Sequence, residues 1–193
     1  MRVLALLLVS ILLLGSCKQS HKFYGFFYDK PAYDFRLKDQ EGKPRSLSEI
    51  TGNNSLVLLF FGYTNCPDIC PDSLGKMQKT IQLLKKDAER VKVAFITVDP
   101  ERDTPAVLKS YMSYFGPSFI GLYGTSEEIA SVAKAYNAYY TKVKSDSALG
   151  YLVDHTATIY LITPDMKIKL LYTLNKQDPA KMAEDIKFLL SKM

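Results

Sequence analysis

Cysteine and histidine are both scarce in this chain of 193 residues, which has three cysteines and two histidines. Cys17 directly follows an apolar leader, which leaves Cys66 and Cys70 as the thiols of a folded domain. Such a pair suits a structural disulfide, a redox couple or part of a metal site. A bridge across so short a loop stabilises a fold little, because the entropy of loop closure grows with the number of residues enclosed. A purely structural role is therefore the weakest of the three.

The chain also lacks an apolar run of the roughly 20 residues that a membrane-spanning helix needs. The apolar leader, residues 3–14, follows Arg2 and ends in the small residues of Leu14-Gly15-Ser16-Cys17. This LGSC sequence resembles the lipobox of bacterial lipoproteins, in which the cysteine is lipidated and becomes the mature N-terminus. The alternative is a retained membrane anchor that ends near Ser16. Either reading exports the domain and tethers it to a bacterial membrane, facing the periplasm or the cell exterior.

Three segments follow from this reading. We expect a lipoprotein-type signal peptide at residues 1–16, a tether at 17–30 with Cys17 lipidated, and one domain at 31–193. The alternative for the tether is that Phe23, Tyr24, Phe26 and Phe27 dock onto the domain. No internal repeat or low-complexity stretch divides that domain, and the six methionines form no cluster. The net charge of +5 comes from 25 basic and 20 acidic residues that are mixed along the chain. Without a basic stripe, we expect no nucleic-acid partner.

The hydrophobic pattern predicts strands that alternate with helices. Apolar runs at residues 55–61 and 91–98 predict buried strands, and a helical pattern follows the first of them from Asp72 or Ser73 to about Arg90. Further strands are predicted near residues 35–37, 119–122, 138–143, 158–162 and 168–174, and capping residues begin helices after Thr104, Thr125 and Asp178. This order indicates an α/β fold. It is similar to a thioredoxin-like core with an N-terminal β-hairpin and additional C-terminal strand and helix elements.

The cysteine pair lies where thiolates are favoured. Cys66 follows a buried strand, and Cys70 lies just before or within the first turn of a helix. The free N–H groups and positive potential of a helix N-terminus favour thiolate over thiol, and thiolate is both the nucleophile and the metal ligand. An i,i+4 spacing places both sulfurs on one face if the segment is helical. Asp68 and Asp72 flank the pair, as turn and cap groups or as carboxylates that shape its electrostatics.

His155 is the residue that separates a metal site from a dithiol. It precedes a predicted strand, at the point that faces the active-site cysteines in thioredoxin-like folds. Two sulfurs and one imidazole suit Cu(I), which accepts three ligands, whereas zinc requires a fourth. The alternative is a partly buried histidine that bonds to backbone. The other histidine, His21, lies in the expected tether, where we expect it to be solvated.

Three motifs resemble those of the Sco/SenC family and occur in the same order along the chain. They are residues 60–71 (FFGYTNCPDICP), 97–105 (TVDPERDTP) and 153–157 (VDHTA), and the resemblance covers about residues 33–190. The resemblance implies a thioredoxin-like fold, copper binding by Cys66, Cys70 and His155, and a role in assembling the binuclear copper centre of cytochrome c oxidase. Asn65 stands where many members have histidine, at a position that is not a required ligand. The chemical role of Asp99-Pro100 does not follow from the sequence.

The function expected from these observations is that of a membrane-tethered copper metallochaperone rather than an enzyme. It would take copper as Cu(I), with Cu(II) as the second choice, and pass it to an apo cytochrome c oxidase subunit or another acceptor. A thiol reductant would keep its cysteines reduced. The alternative is a thiol–disulfide oxidoreductase that keeps the copper-binding cysteines of a partner reduced, which requires the two cysteines but not His155. A redox or copper sensor is the third reading.

Overall fold

The structure is a computed structural model that describes residues 21–52, 54–146 and 150–193. The expected signal peptide and Cys17 lie outside the described residues. Within the described ranges, no helix has both the length and the apolar character needed to cross a membrane.

Ten strands and five α-helices make up the described chain. The strands are β1 Phe26–Pro31, β2 Arg36–Asp39, β3 Pro44–Ser46, β4 Leu56–Gly62, β5 Val91–Thr97, β6 Phe119–Tyr123, β7 Tyr140–Lys144, β8 Tyr151–His155, β9 Ile159–Thr163 and β10 Lys167–Tyr172. The helices are α1 Leu47–Ile50, α2 Ile69–Leu84, α3 Pro105–Ser113, α4 Ser126–Ala135 and α5 Pro179–Leu190, with short 3-10 helices at Lys85–Arg90 and Leu174–Lys176. The predicted α/β class is confirmed.

Eight of the strands form one sheet in the order β1-β10-β9-β4-β5-β6-β2-β3. Its centre is parallel, since β4 pairs with β5 and β5 with β6 in that sense, while β9 and β10 continue it antiparallel to their neighbours. All seven residues of β4 are buried, which explains why this strand is a continuous apolar run rather than an alternating one. Strands β2 and β3 form the expected hairpin, whose turn contains Gly42 at a φ of 77°.

The remaining two strands, β7 and β8, form a separate two-stranded ribbon that carries His155 at its end, opposite Tyr140. The sequence pattern predicted β7 but not β8, because residues 151–155 show no clear alternation of buried and exposed positions. A two-stranded ribbon outside the main sheet depends on side-chain contacts with the rest of the chain, which hydrophobic periodicity does not reveal.

The N-terminal boundary differs from the expectation. Strand β1 falls within the expected tether of residues 17–30, and it pairs with β10 from Phe26↔Leu171 to Pro31↔Lys167. The segment before it is also packed onto the domain, because the His21 ring stacks on Phe188 of α5 at 4.0 Å between centroids. The expectation that His21 is solvated was therefore wrong. All six residues of β1 are exposed, so burial could not have marked this edge strand in the sequence.

Candidate metal centre

Strand β4 ends next to the site, and its last residue, Gly62, leaves space for the Cys70 sulfur. A Cβ atom at Gly62 would lie 2.8 Å from the Cys70 sulfur and 2.8 Å from Cε2 of Phe95, closer than non-bonded atoms can approach. Only a residue without a side chain therefore allows the Cys70 sulfur to pack against the end of β4.

The two cysteines lie at the start of helix α2. The helix begins at Ile69, three residues before the earliest predicted start, so Cys70 is in its first turn. Pro71 is tolerated there because the first turn of a helix leaves its N–H groups without intrahelical partners. One of these groups, the Cys70 amide, donates to the Cys66 sulfur at 3.4 Å. The Cys66 sulfur thus acts as the cap that the helix otherwise lacks, since Asp68 makes no side-chain capping bond.

The two thiols have opposite tendencies to ionise. The Cys70 thiol is the largest influence that lowers the pKa of Cys66, to about 3, by hydrogen bonding to its sulfur; contacts with His155 and with the amides of Asp68 and Cys70 act in the same direction, against burial. Burial raises the pKa of Cys70, whose side chain is fully buried, and the neighbouring Cys66 raises it further. The pair therefore shares one proton, held on Cys70, and presents Cys66 as a thiolate.

His155 completes a cluster of three donor atoms. Its Nε2 lies 3.2 Å from the Cys70 sulfur, and the two sulfurs and a ring nitrogen all lie within 4.8 Å of one another. The Nδ1 atom lies 3.2 Å from the carbonyl oxygen of Thr156. Because a carbonyl only accepts, that contact favours the tautomer with the proton on Nδ1 and leaves Nε2 free to face the cysteines. Phe60 and Tyr63 hold the ring edge-on, at 5.9 and 5.8 Å.

The cluster is reached through an open cleft of about 280 Å³. Its lining joins the cysteine loop to strand β8 and comprises Tyr63, Cys66, Pro67, Asp68, Ile69 and residues 152–155. Cys66 and His155 are partly exposed in it, whereas Cys70 forms the buried side of the cluster. An ion or an incoming ligand would therefore meet Cys66 and His155 first.

Asp103 fastens the loop that carries the cysteines. Its carboxylate, on a side chain that is only 1% exposed, accepts bonds from the amide of Thr64 at 3.1 Å, from the Thr64 hydroxyl at 2.5 Å and from the Thr97 hydroxyl at 2.6 Å. Burial raises the pKa of Asp103 above its usual range despite these bonds. Asp103 belongs to the motif at residues 97–105, but the sequence did not predict its contact with Thr64.

A second network fastens the ribbon that carries His155. Arg102 donates from Nε to the buried carboxylate of Asp99 and from Nη1 to the carbonyl oxygen of Tyr151 at 3.0 Å. Its guanidinium carbon lies 3.7 Å from the centroid of the Tyr151 ring, and the Tyr151 hydroxyl donates to Asp99 at 2.7 Å. This Asp99–Arg102–Tyr151 network gives Asp99 a structural role that the sequence did not reveal. The only indication in the sequence was that acidic residues, Asp99 and Glu101, follow a predicted buried strand.

The structure thus brings together Cys66, Cys70 and His155, as the sequence analysis expected for a site. The flanking carboxylates take no direct part among the described contacts: Asp68 is exposed, and Asp72 forms an ion pair with Lys76 at 2.6 Å. Cys66 and Cys70 are both free thiols.

The sequence profile of the family described as SCO1/SenC matches residues 28–191 of this chain. Among curated proteins, a SCO2-like protein of Rickettsia felis is 43% identical over 135 residues, which are 69% of this chain and 65% of that protein. The chain therefore spans slightly less than two thirds of that relative's length.

Two solved structures extend the comparison. Copper-bound ScoI of Bradyrhizobium japonicum is 42% identical, with a TM-score of 0.73 over 82% of this chain and 98% of that one. BsSco, a member of the Sco family of cytochrome c oxidase assembly proteins in which a disulfide switch has been identified, is 27% identical, with a TM-score of 0.64 over 84% and 95%. These neighbours confirm the expected thioredoxin-like fold. The chain belongs to the SCO1/SenC family.

Proposed function

We propose that this protein binds copper through Cys66, Cys70 and His155 and passes it to a copper-free subunit of cytochrome c oxidase. The observation that carries the proposal is the convergence of two sulfurs and one imidazole nitrogen within 4.8 Å at the base of an open cleft. The copper bound to the related ScoI supports it, and so does the assignment of BsSco to the oxidase assembly proteins.

The donor set favours Cu(I) as the cargo. Thiolates are soft ligands that select Cu(I), and three donors satisfy this ion but leave zinc one short. Cys66 is already a thiolate, so loading releases the proton that Cys70 holds. Release to an acceptor would begin at Cys66 and His155, because they are the partly exposed ligands and an incoming thiol or imidazole can reach them through the cleft.

The membrane attachment is a further part of the proposal, and Leu14-Gly15-Ser16-Cys17 supports it. We expect the exported chain to begin at a lipidated Cys17 and to partition into detergent. Cys17→Ser should block lipidation but leave the copper site intact, since the proposed ligands are Cys66, Cys70 and His155. Intact-mass measurement on protein extracted from membranes checks this, and a mature chain that still begins at Met1 would contradict it.

His155→Ala tests the main proposal. The variant keeps both thiols but loses one of three donors, so we expect copper affinity to fall by more than the 10–100-fold that is typical when groups around a metal's ligands are changed. In cells the variant should fail to support oxidase assembly while it still cycles between dithiol and disulfide. Chelator competition, oxidase activity in cells and thiol titration measure the three properties.

His21→Ala is the matched control, because it removes the chain's other histidine. His21 stacks on Phe188 and is not one of the three clustered donors. It should leave copper affinity and oxidase assembly unchanged. Metal-free melting curves of both variants report whether each is folded. Normal oxidase activity in a His155→Ala strain, together with impaired copper binding, would refute delivery of copper by this site.

A thiol–disulfide reductase is the second candidate, and the unequal cysteines favour it. Cys66 is a partly exposed thiolate next to a buried protonated thiol, the arrangement in which one sulfur attacks a partner disulfide and the other displaces the partner. In that exchange the partner gains two thiols, and Cys66 and Cys70 form a disulfide. The disulfide switch identified in BsSco supports this reading, which the His155→Ala strain separates from copper delivery.

A further inference from the structure

The N-terminal segment and helix α5 form an exposed surface of aromatic side chains. Phe26 and Phe27 of β1 are 50% and 63% exposed. Phe23 lies parallel to Phe27 at 6.0 Å between ring centroids and edge-on to Phe188 of α5 at 5.5 Å. These four rings, together with Lys176, Lys181 and Lys192, form what we call the aromatic–lysine surface. Scattered exposed apolar residues are common, but adjacent exposed rings require an explanation.

Lysine ammonium groups lie against these rings. Lys176 Nζ is 4.9 Å from the centroid of Phe26, and Lys192 Nζ is 5.3 Å from that of Phe188. Lys181 Nζ lies 5.1 Å from the Tyr24 ring. Among the ion pairs of the described residues, none involves these three lysines. Lys176 Nζ also donates to the carbonyl oxygen of Tyr24 at 2.8 Å, which leaves its charge without a carboxylate partner. Aromatic rings beside lysines that lack an ion pair are the composition that proteins place at a bilayer interface with anionic headgroups.

The segment is held firmly rather than loosely. The buried carboxylate of Asp185 accepts bonds from the amides of Tyr24 at 3.0 Å and Gly25 at 2.9 Å and from the Tyr172 hydroxyl at 3.1 Å. His21, at the start of the described chain, lies four residues beyond Cys17. Four residues span at most about 14 Å. An anchor at Cys17 therefore keeps His21, whose ring contacts Phe23 and Phe188 of the aromatic–lysine surface, within that distance of the lipidated residue. This proximity favours a bilayer as the occupant that the surface meets.

The metal cluster lies at the Gly62 end of the central strand β4. Leu59 of β4 is aligned with Tyr160, Tyr160 with Leu171, and Leu171 with Phe26, so β1 begins three strands from β4 and level with its middle residue. Gln177, just before α5, donates to the carbonyl oxygen of Ala157, two residues after His155, at 2.7 Å. Docking of the surface would thus hold the cluster close to the membrane.

We propose that the aromatic–lysine surface docks on an anionic phospholipid bilayer and holds the cysteine–histidine cluster beside the membrane plane, where the acceptor of a membrane-bound oxidase would lie. The proposal rests on the lipid anchor proposed above. The lysines supply the attraction to the headgroups, and Phe26 and Phe27 enter the interface between headgroups and acyl chains.

The test uses the full chain as purified from membranes, reconstituted in vesicles of phosphatidylcholine alone or with phosphatidylglycerol. Deuterium uptake is measured for peptides that cover residues 21–31 and 176–192, with α3 as an internal reference. We expect slower uptake in both regions in vesicles with phosphatidylglycerol, and recovery at high salt. The variant with Lys176, Lys181 and Lys192 changed to Gln should lose this protection, since each lysine near an anionic surface favours docking roughly fivefold.

The matched control changes three exposed lysines elsewhere, Lys85, Lys86 and Lys134, to Gln and should retain the protection. Sedimentation with the vesicles is measured first: a chain that does not sediment lacks the anchor, whereas one that sediments without protection lacks the docking. Equal uptake in anionic vesicles and neutral detergent micelles would overturn the proposal. So would protection that depends on protein concentration, which would identify a second copy of the chain as the occupant, or protection that persists in the variant lacking the three surface lysines.

Discussion

Arg102→Lys is the change that best tests how His155 is held. Arg102 joins two parts of the chain, because it bonds to Asp99 after strand β5 and to the carbonyl oxygen of Tyr151 in the ribbon that ends at His155. Lysine can keep the ion pair with Asp99. It has no planar fork, so it cannot also bond to the carbonyl while it stacks on the Tyr151 ring at 3.7 Å.

The size of the effect follows from the contacts that are lost. A hydrogen bond to a charged group contributes about 1.5–3 kcal/mol, and a cation–π contact contributes about 0.5–2 kcal/mol. Lysine recovers part of both, which leaves a net loss of about 2 kcal/mol. If all of it loosened the ribbon, copper affinity would fall about 30-fold. Copper affinity falls only in proportion to the loss of the ribbon arrangement that binds copper, so part of the lost energy has no effect on it. We therefore expect copper affinity to fall by between about 5-fold and about 30-fold.

Competition against a Cu(I) chelator measures the affinity of the reduced protein. Lys142→Gln is the matched control, because Lys142 also lies over the Tyr151 ring, at 4.8 Å, but its ion pair with Glu101 is exposed on both sides. Such pairs contribute about 1 kcal/mol or less, so this variant should stay within about 5-fold of the native protein. Melting curves and thiol titration should show that both variants are folded with both cysteines free.

An Arg102→Lys protein that is folded, keeps its ribbon and binds copper as tightly as the native chain would refute the reasoning. The same holds if Lys142→Gln weakens binding as much as Arg102→Lys does. In either case the Asp99–Arg102–Tyr151 network would contribute to general stability but not to the position of His155.

Two further changes test the packing beneath the cluster. Gly62→Ala places a Cβ 2.8 Å from the Cys70 sulfur, so we expect unfolding free energy to fall by about 1–3 kcal/mol and copper affinity to fall with it. Gly75→Ala in α2, where a Cβ meets nothing within 4 Å, should instead stabilise the protein by about 0.5–1 kcal/mol; equal effects in a denaturant titration would contradict the packing. Asp103→Asn tests the buried carboxylate, whose folded pKa is raised above 3.8 by burial. A raised carboxyl pKa means that the folded state binds the proton more tightly, so its contribution to stability is fully present below pH 3.8 and is lost as pH rises through the folded pKa. The stability of the native protein relative to Asp103→Asn should therefore decline as pH rises above about 4, and a relative stability that rises with pH instead would show that the sign is wrong.

Local sequence features predicted much of the fold correctly. The apolar run of β4, and that of β5 apart from Lys92, identified the central strands, because a strand buried on both faces has no polar side. Thr104, Thr125 and Asp178 each cap the helix that was predicted to follow them. These features depend on residues within three or four positions of one another, so the sequence shows them directly.

The start of α2 and the strand β1 were harder to predict. Helix α2 begins at Ile69 because the Cys66 sulfur caps it, and a cysteine is not among the usual capping residues. Strand β1 forms because it pairs with β10, which lies far along the chain from it. The ion pair between Asp29 of β1 and Lys169 of β10, for example, joins residues 140 positions apart. The residues of β1 are exposed and carry no periodic pattern.

The sequence by itself determined the family resemblance, the α/β class and the identity of three candidate ligands, because motifs and hydrophobic periodicity depend only on residues close together in the sequence. Only the tertiary structure decided how those ligands meet. Cys70 and His155 are 85 positions apart and lie 3.2 Å from each other. The contacts that hold them, from Asp103 to Thr64 and from Arg102 to Tyr151, cross 39 and 49 positions. Such contacts depend on how strands are ordered in a sheet, and that order is set by packing of the whole chain rather than by any local pattern.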